Sequence, residues 1–491
     1  MTRAFPDLPS HAASWSGARI SWIACGATLL FAAIILAHAA LLPGGRWDGD
    51  EYLLVAKLRE HGIGYALRRL YGWSPRPFSE VTLWAYAGLV LATGRQLIIP
   101  FLAALWSVLV GAGILAFWSP RRDERWWRLV LACGVPALLL LAYSPKEMFF
   151  WPMAAAPYLL AMTGAVVLTF RLVAGRATTA RERLVCGGAL ALAAGSSETG
   201  LFFALGFATT LALLDLAARW RQPARMLADG LWYLLPLALS GPLVVLLLVF
   251  RVPVATPQTP DPTYHFRLWP SLRATVHDLW RESMGAVPFV PGPSFGQFVA
   301  ICALCFAGLW LCLQAAVLGR ASRRHMLALA AGASASIFGS VAAAFYEYGM
   351  PCCQRHYAFR QGMLVLLLLA LARLAGLLLP RPATWLARLL GPPLLLAAAG
   401  VLLATRLPAL VHDVRLLGTD RLVSARNWAL PRDPAVPLVF RLPPRGEVLT
   451  GLDWSPGHYA NDESAPWFVR AMLQFYRHSQ GDMIATPVPD P

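Results

Sequence analysis

The chain has 491 residues, of which 57% are hydrophobic and 14% charged, and its mean hydropathy is +0.55. One soluble core could not bury so much apolar surface, so the composition excludes an ordinary soluble protein and predicts an all-α polytopic membrane protein. The net charge of +16 comes from arginines scattered in short loops between apolar runs, which is typical of membrane topology. We therefore expect membrane lipids, and no nucleic acid, as partners.

Eleven apolar runs have spanning or near-spanning length: 20–42, 97–118, 128–143, 151–170, 184–198, 200–218, 230–250, 297–318, 326–345, 361–379 and 389–407. Because about 20 residues cross the hydrocarbon, the runs 128–143 and 184–198 need residues from their flanks. A further run, 78–93, has 16 residues and carries Glu80.

Arginine clusters in alternate loops predict the orientation of these runs, since cytoplasmic loops are enriched in basic residues. The clusters are at 121–128, 171–183, 219–225, 320–324 and 381–388. The N-terminus, with Arg3 and Arg19, joins their side only if 78–93 lies on or in the outer surface without crossing. The sequence thus predicts about eleven spans, a cytoplasmic N-terminus and an external C-terminus.

This topology divides the chain into a cytoplasmic segment (1–19), a transmembrane domain (20–407) and a small external C-terminal region (408–491). The larger external loops are 43–96, with interfacial helices, and 251–296. The C-terminal region could be a small domain or a lid, and we expect a helix in it from Ala465 to Arg477. The excess of arginine, alanine, glycine and proline is typical of bacterial chains of high G+C content. We therefore place the protein in a bacterial inner membrane, with the C-terminus in the periplasm.

An acidic stretch directly follows the first run, in the order Gly45, Arg46, Trp47, Asp48, Gly49, Asp50, Glu51, Tyr52. Carboxylates are costly to keep near lipid and often mark function. One interpretation is a solvated turn that ends the helix. The other is a catalytic site, in which one carboxylate takes the proton from a sugar hydroxyl as the new bond forms.

A carboxylate base is useful only beside groups that stabilise the departing group. The external cations that could hold a lipid phosphate are Arg76, Lys146, Arg355, His356 and Arg360. Arginine suits this task because its planar fork can donate to two phosphate oxygens. The alternatives are arginines that snorkel to headgroups, a hydrogen-bonded interfacial histidine, and a self-contained pair of Lys146 with its neighbour.

Four more residues are candidates for the same pocket: Glu147, Glu198, Tyr52 and Trp151. Glu198 lies between two apolar runs, where a lone carboxylate is a functional candidate, although a helix cap is an alternative. The aromatic residues could stack on a sugar or lipid, or could form an interfacial belt.

The acidic motif after one span, opening a long external loop that contains Pro75, Arg76 and Pro77, resembles the GT-C glycosyltransferases. The triplet Asp50, Glu51, Tyr52 is similar to the Asp-Asp-Tyr start of bacterial members, including O-antigen-modifying glucosyltransferases. The resemblance implies a GT-C-like bundle, a polyprenyl-phosphate sugar donor, inversion at the anomeric carbon and no required cofactor. It also implies that Asp50 is the base and that Glu51 assists it.

Asp48 departs from the family's acidic pair, which leaves the base open among Asp48, Asp50 and Glu51. It also leaves open a Mg²⁺ or Mn²⁺ site at Asp48 and Asp50. We expect sugar transfer to a glycan or lipid acceptor of the cell envelope, on the periplasmic face. A flippase or transporter for a lipid-linked saccharide, and a polysaccharide polymerase or ligase, are the alternatives. The enzyme is favoured because the polar motifs share one face and no internal repeat is visible.

Overall fold

The computed structural model describes residues 11–72, 75–119, 122–141, 145–245, 263, 266–284, 294–316, 318–319, 321–349, 354–380, 382–444 and 454–486. Within these ranges, side chains are not described at 11–21, 71–72, 122–123, 145–146, 223, 225–226, 240–241, 243–245, 348 and 354.

The described residues form seventeen α-helices and three β-strands. The helices are α1 (His11–Ala39), α2 (Gly49–His61), α3 (Ile63–Gly72), α4 (Pro77–Thr93), α5 (Ile98–Phe117), α6 (Arg122–Leu140), α7 (Pro145–Phe150), α8 (Pro152–Val173), α9 (Ala180–Ala194), α10 (Glu198–Arg219), α11 (Pro223–Val245), α12 (Leu268–Ser283), α13 (Phe295–Ala315), α14 (Arg323–Tyr348), α15 (Gln354–Leu378), α16 (Thr384–Trp428) and α17 (Trp467–Tyr476). The strands are β1 (Leu438–Leu442), β2 (Gly457–Ala460) and β3 (Gln480–Ala485).

Eight helices within the described chain are long and apolar enough to cross a membrane: Trp22–Gly44, Ile98–Phe117, Pro152–Val173, Glu198–Arg219, Phe295–Ala315, Arg323–Glu347, Arg355–Leu378 and Thr384–Trp428. The prediction of a helical, multi-pass membrane protein is therefore confirmed. The other three predicted runs lie mainly in α6, α9 and α11, and a total of about eleven spans stays a prediction. Helix α4 is not among the eight, and its position on the outer surface also stays a prediction.

Helix α8 forms the centre of the bundle, packing on α5, α9, α10 and α15, and nearly all of its residues are buried. Small residues let neighbouring backbones approach closely, as is usual between membrane helices. A Cβ at Gly164 would lie 2.4 Å from the Ala189 carbonyl of α9, and one at Gly308 of α13 would lie 2.9 Å from the Leu395 nitrogen of α16. These contacts place the core along α8 and the helices around it.

Helix α16 is a single helix of 45 residues that continues past residue 407, where the C-terminal region is predicted to begin. After it, the strands form one sheet in the order β1-β3-β2, with β1 parallel and β2 antiparallel to β3. Helix α17 lies within the helix predicted at 465–477 and packs on α2. The sheet itself is not anticipated by the sequence analysis.

Candidate active site at the Asp50 end of the bundle

A cavity opens at the end of the bundle that carries Asp50, called here the Asp50 end. Helices α8, α10 and α15 begin there, and α14 ends there. The space open to the centre of a water molecule is about 140 Å³. Its charged and polar lining is Asp50, Arg69, Arg76, Ser79, Glu80, Trp151, Tyr158, Glu198, Thr199, Ser340, Glu347, Arg355 and His356.

Helix α2 separates its acidic residues by direction. Successive residues of an α-helix point about 100° apart, so Asp50, Glu51 and Tyr52 face three different surroundings. Asp50 lines the cavity, Glu51 contacts the start of α8, and Tyr52 packs against the C-terminal region. Asp48, which precedes the helix, serves as its cap.

Asp48 has a structural role that occupies its carboxylate. It forms a capping box with Glu51, in which each side chain accepts from a backbone N–H of the first turn. Its Oδ1 also accepts from Trp454 Nε1 at 3.0 Å, which ties the C-terminal region to the start of α2. Asp48 is not part of the cavity lining.

Glu51 is buried and accepts three hydrogen bonds. Its Oε2 accepts from Trp151 Nε1 at 2.8 Å and from the Asp48 nitrogen at 3.0 Å, and its Oε1 accepts from the Met153 nitrogen at 2.8 Å. Burial raises the pKa of Glu51 to about 8, although these donors act in the opposite direction. Glu51 therefore joins α2 to α8 and is not open to a substrate.

Asp50 differs from both neighbours, because no donor among the described residues forms a hydrogen bond with it. It is half-buried on the cavity wall, and the charges of Arg69 and Arg355 act on it. A carboxylate in this state can accept a proton or hydrogen bonds from a bound molecule. Of the three acids, Asp50 is the one whose surroundings suit a general base.

Three arginines line the cavity, and each has a carboxylate partner. Arg69 Nε donates to Glu80 Oε2 at 2.8 Å, and Arg76 forms an ion pair with Glu198. Burial alone would lower the pKa of Arg69 and of Arg76, but these partners outweigh it and the pKa of both is raised.

Arg355 makes the third pair, with Glu147 at 3.3 Å, and its guanidinium also lies over the Trp151 ring, 5.1 Å from the ring centroid. Trp151 is therefore fixed on both sides, by Arg355 and by its bond to Glu51. His356 Nε2 lies 3.2 Å from the Tyr158 hydroxyl, within hydrogen-bond distance. These contacts fix α15 against α8 at the cavity mouth.

The predicted residues are thus divided by the structure. Those that meet in the cavity are Asp50, Arg76, Trp151, Glu198, Arg355 and His356, with Glu147 bound to Arg355. Arg360 lies elsewhere, with its guanidinium 3.4 Å from Asp278 and 2.9 Å from Glu282 of α12. Lys146 is the second residue of α7, next to Glu147, but its side chain is outside the described residues.

Tyr52 also lies away from the cavity, in an aromatic cluster with Trp47, Trp454, Phe475 and Tyr476. Burial raises its pKa well above the ordinary value. Tyr52, which the sequence analysis places among the pocket candidates, therefore packs between α2 and the C-terminal region and does not line the cavity.

Several cavity residues escape the sequence analysis as site candidates, chiefly Arg69, Glu80, Tyr158 and Glu347. Arg69 lies in the amphipathic helix α3, where it resembles any basic residue of an interfacial helix. Glu80 is the detectable one, because a carboxylate inside an otherwise apolar run requires a partner. Tyr158 gives no such signal, since aromatic residues are common in membrane helices.

The contacts of Asp48 bear on the metal site left open above. Its Oδ1 accepts hydrogen bonds from the Gly49 nitrogen and from Trp454 Nε1, and Asp48 lies outside the cavity that Asp50 lines, so a shared metal site at the two residues stays a prediction. Within the described parts of the chain, no group of three or more His, Cys, Asp or Glu side chains is placed to hold a metal ion.

Backbone dipoles add positive potential to the cavity. Helices α8, α10 and α15 have 22, 22 and 25 residues, and all three present their N-terminal ends to it. Each such end carries roughly half a positive charge, which favours a bound anion. The arrangement therefore offers a proton acceptor on one wall and anion-binding groups around it.

A scan against protein-family models, a search of curated proteins and a search of solved structures each found no match.

Proposed function

We propose that this protein is a membrane glycosyltransferase of GT-C type that moves a sugar from a polyprenyl-phosphate donor to a hydroxyl of a cell-envelope glycan or lipid. One observation carries the proposal. Asp50, whose carboxylate accepts no hydrogen bond from a described residue, lines a cavity that it shares with three arginines. A base and a set of phosphate-binding groups in one cavity are what such a transfer needs.

In the proposed reaction the acceptor oxygen attacks the anomeric carbon, and the bond from that carbon to the phosphate oxygen breaks. The hydroxyl proton passes to Asp50, and the polyprenyl phosphate leaves with the bonding electron pair. One displacement of this kind inverts the anomeric centre. It requires no metal or redox group, and Asp50 gives up its proton to water before the next cycle.

The arginines would hold the donor phosphate. Each of the three uses part of its guanidinium for a carboxylate, and an arginine has five N–H donors in total. The buried Nε of Arg76 has no acceptor among the described residues. The pairs with Glu80, Glu198 and Glu147 also limit repulsion between the arginines, so that a phosphate can approach three cations in one small space.

The membrane setting follows from the donor. A polyprenyl chain stays in the bilayer, so its phosphate is available only at the membrane surface. The proposal is supported by the position of the cavity at the ends of four helices long enough to span a membrane, where that surface is expected. The rival function, movement of a lipid-linked saccharide across the membrane, needs access from both sides.

The chemical test is Asp50→Asn, which keeps the size of the side chain and removes the base. Loss of a general base commonly lowers a rate by about 10²–10⁴-fold, so we expect transfer from a polyprenyl-phosphate sugar, assayed in membranes, to fall by that factor. Asp48→Asn is the matched control, because asparagine also caps helices well.

Near-normal transfer by a well-expressed Asp50→Asn protein would contradict the base assignment. If the Asp50→Asn protein still supports sugar transfer but no longer moves a labelled lipid-linked saccharide across the membrane of vesicles, the transporter function would be favoured. Loss of transfer by the wild type in the presence of a chelator would show that the reaction depends on a metal ion.

Orientation is a separate part of the proposal. A cysteine placed at Asp462, in the C-terminal region, should react with an impermeant thiol reagent added outside, whereas one at Arg122 should be protected. The reverse pattern would put the cavity in the cytoplasm and exclude a periplasmic acceptor.

A further inference from the structure

A second concavity lies apart from the cavity, between the start of α5 and the second half of α16, and we call it the α5–α16 groove. Its walls include Arg95, Leu97 and Ile99 on one side and Gly418, Arg421 and Leu422 on the other. The space open to the centre of a water molecule is about 740 Å³. It is larger than the Asp50 cavity and much more open.

The charges of this groove have one sign. Arg95 and Arg421 are exposed, neither has a carboxylate partner among the described residues, and no acidic residue lines the walls. The acids of this part of α16, Asp413 and Asp420, are turned inward and buried, with Asp420 paired to Arg46. The groove side of α16 is thus basic, unlike the cavity, where each arginine is paired.

Apolar side chains lie beside these arginines. Leu422 is 74% exposed and Ile99 is 43% exposed, an exposure that is unfavourable in water and ordinary in lipid. Earlier in α16, the exposed residues Leu407, Val411 and Val414 form an apolar stripe at helical spacing that leads to the groove. A helix face that combines apolar residues with arginines is typical of the bilayer interface.

The groove surrounds one end of a predicted membrane span, where lipid headgroups are expected. Ile98 is the first residue of a helix long enough to span the membrane, and the groove surrounds that end. Trp428 Nε1 of α16 donates to the Gly94 carbonyl at 3.1 Å, which fixes α16 beside the residues just before α5. Apolar walls therefore face the hydrocarbon while the two guanidinium groups lie where phosphates are found.

We propose that the α5–α16 groove binds an anionic phospholipid of the bilayer. Its phosphate lies between Arg95 and Arg421, and its first acyl carbons lie against Ile99 and Leu422. Gly418 supports this occupant, because a Cβ built there meets nothing within 4 Å and the helix backbone is open to the groove. The inference does not depend on the proposed transferase activity.

The test measures lipid binding to the purified full-length protein by native mass spectrometry, with phosphatidylglycerol and phosphatidylcholine as probes. The variant Arg95→Gln/Arg421→Gln should bind its first phosphatidylglycerol roughly tenfold to thirtyfold more weakly, because each arginine near an anionic headgroup contributes roughly a threefold to fivefold gain in affinity. Its binding of phosphatidylcholine should be unchanged. Soluble glycerol phosphate should not displace the lipid, because the acyl contacts are absent from it.

Matched variants on the same helix separate a site from a merely basic surface. Arg415→Gln/Arg426→Gln removes two exposed arginines outside the groove lining and should retain phosphatidylglycerol binding. Gly418→Phe should fill the groove and weaken binding, whereas Gly400→Phe, where a Cβ also meets nothing within 4 Å, should not. Equal losses in groove and control variants, unchanged binding in the groove variants, or displacement by glycerol phosphate would each overturn the proposal.

Discussion

Arginine–carboxylate pairs occur at both ends of the bundle, and two of them, Arg69–Glu80 and Arg183–Asp229, differ sharply in burial. At the Asp50 end, the side chains of Arg69 and Glu80 are 9% and 2% exposed and lie on a cavity wall. At the opposite end, those of Arg183 and Asp229 are 35% and 48% exposed. An exposed pair costs little desolvation and contributes little to stability, whereas a buried pair leaves an uncompensated charge when one partner is removed.

The largest effect is expected at Glu80, the buried partner of Arg69. Glu80→Ala leaves Arg69 buried without its partner, and removal of one member of a buried pair costs roughly 3–5 kcal/mol. We expect a clear fall in the thermal unfolding midpoint of the detergent-solubilised protein. The double variant Arg69→Leu/Glu80→Leu should recover most of that stability, because neither charge then remains buried. A Glu80→Ala protein as stable as the wild type would show that burial does not distinguish the Arg69–Glu80 pair from the Arg183–Asp229 pair.

The burial of Glu51 predicts that the stability of the fold depends on pH. Its pKa in the fold is raised from an ordinary 4.5 to about 8, so protonated Glu51 stabilises the fold fully below its ordinary pKa. That contribution is lost as the pH rises through about 8. The wild type should therefore lose stability relative to Glu51→Gln between roughly pH 5 and pH 9, by a few kcal/mol at most. If the stability of the two proteins changes with pH in the same way across this range, Glu51 is charged throughout and the prediction is wrong.

Arg355→Lys tests whether the cavity arginines bind phosphate as well as carboxylate. An ammonium group keeps the charge and the pair with Glu147 but lacks the planar fork, so we expect transfer to fall roughly tenfold with little change in stability. Arg360→Lys, one and a half turns further along α15, is the control because Arg360 pairs with α12 outside the cavity. Equal loss in both variants would indicate a general effect on α15.

The smallest effect is expected at the opposite end. Asp229 is exposed and paired with Arg183 and Arg219, so Asp229→Ala should leave the unfolding midpoint and the transfer rate unchanged within error. A marked loss of either would show that this end also has a specific role.

The architecture was largely accessible from the sequence, because lipid requires long apolar helices and each predicted run lies mainly in a helix. Part of the cavity was accessible for the same reason. Polar residues such as Arg76, Glu198 and Arg355 are conspicuous at the ends of apolar runs, and topology sends them to one side. Their roles are not determined by this reasoning.

Other features depend on rotation and on distant partners, which a linear sequence does not reveal. Arg360 follows Arg355 by five residues, which turns it about 140° around α15 and away from the cavity. The β1–β3 pairing joins segments far apart in the chain, and strands of five and six residues give a weak signal. Arg69 could be recognised only through its contact with Glu80.

Asp50, Glu51 and Tyr52 point in three directions from the first turn of α2, and this arrangement constrains which insertions and deletions the segment can accept in evolution. One residue inserted between Gly49 and Asp50 would turn the acid away from the cavity and bring an unsuitable side chain to Trp151. Gly49 is itself confined, since a Cβ there would lie 2.4 Å from the Phe468 side chain. A substitution at one of these positions therefore affects one of the three contacts at a time. A change in the length of the segment alters the cavity, the α8 contact and the C-terminal packing together.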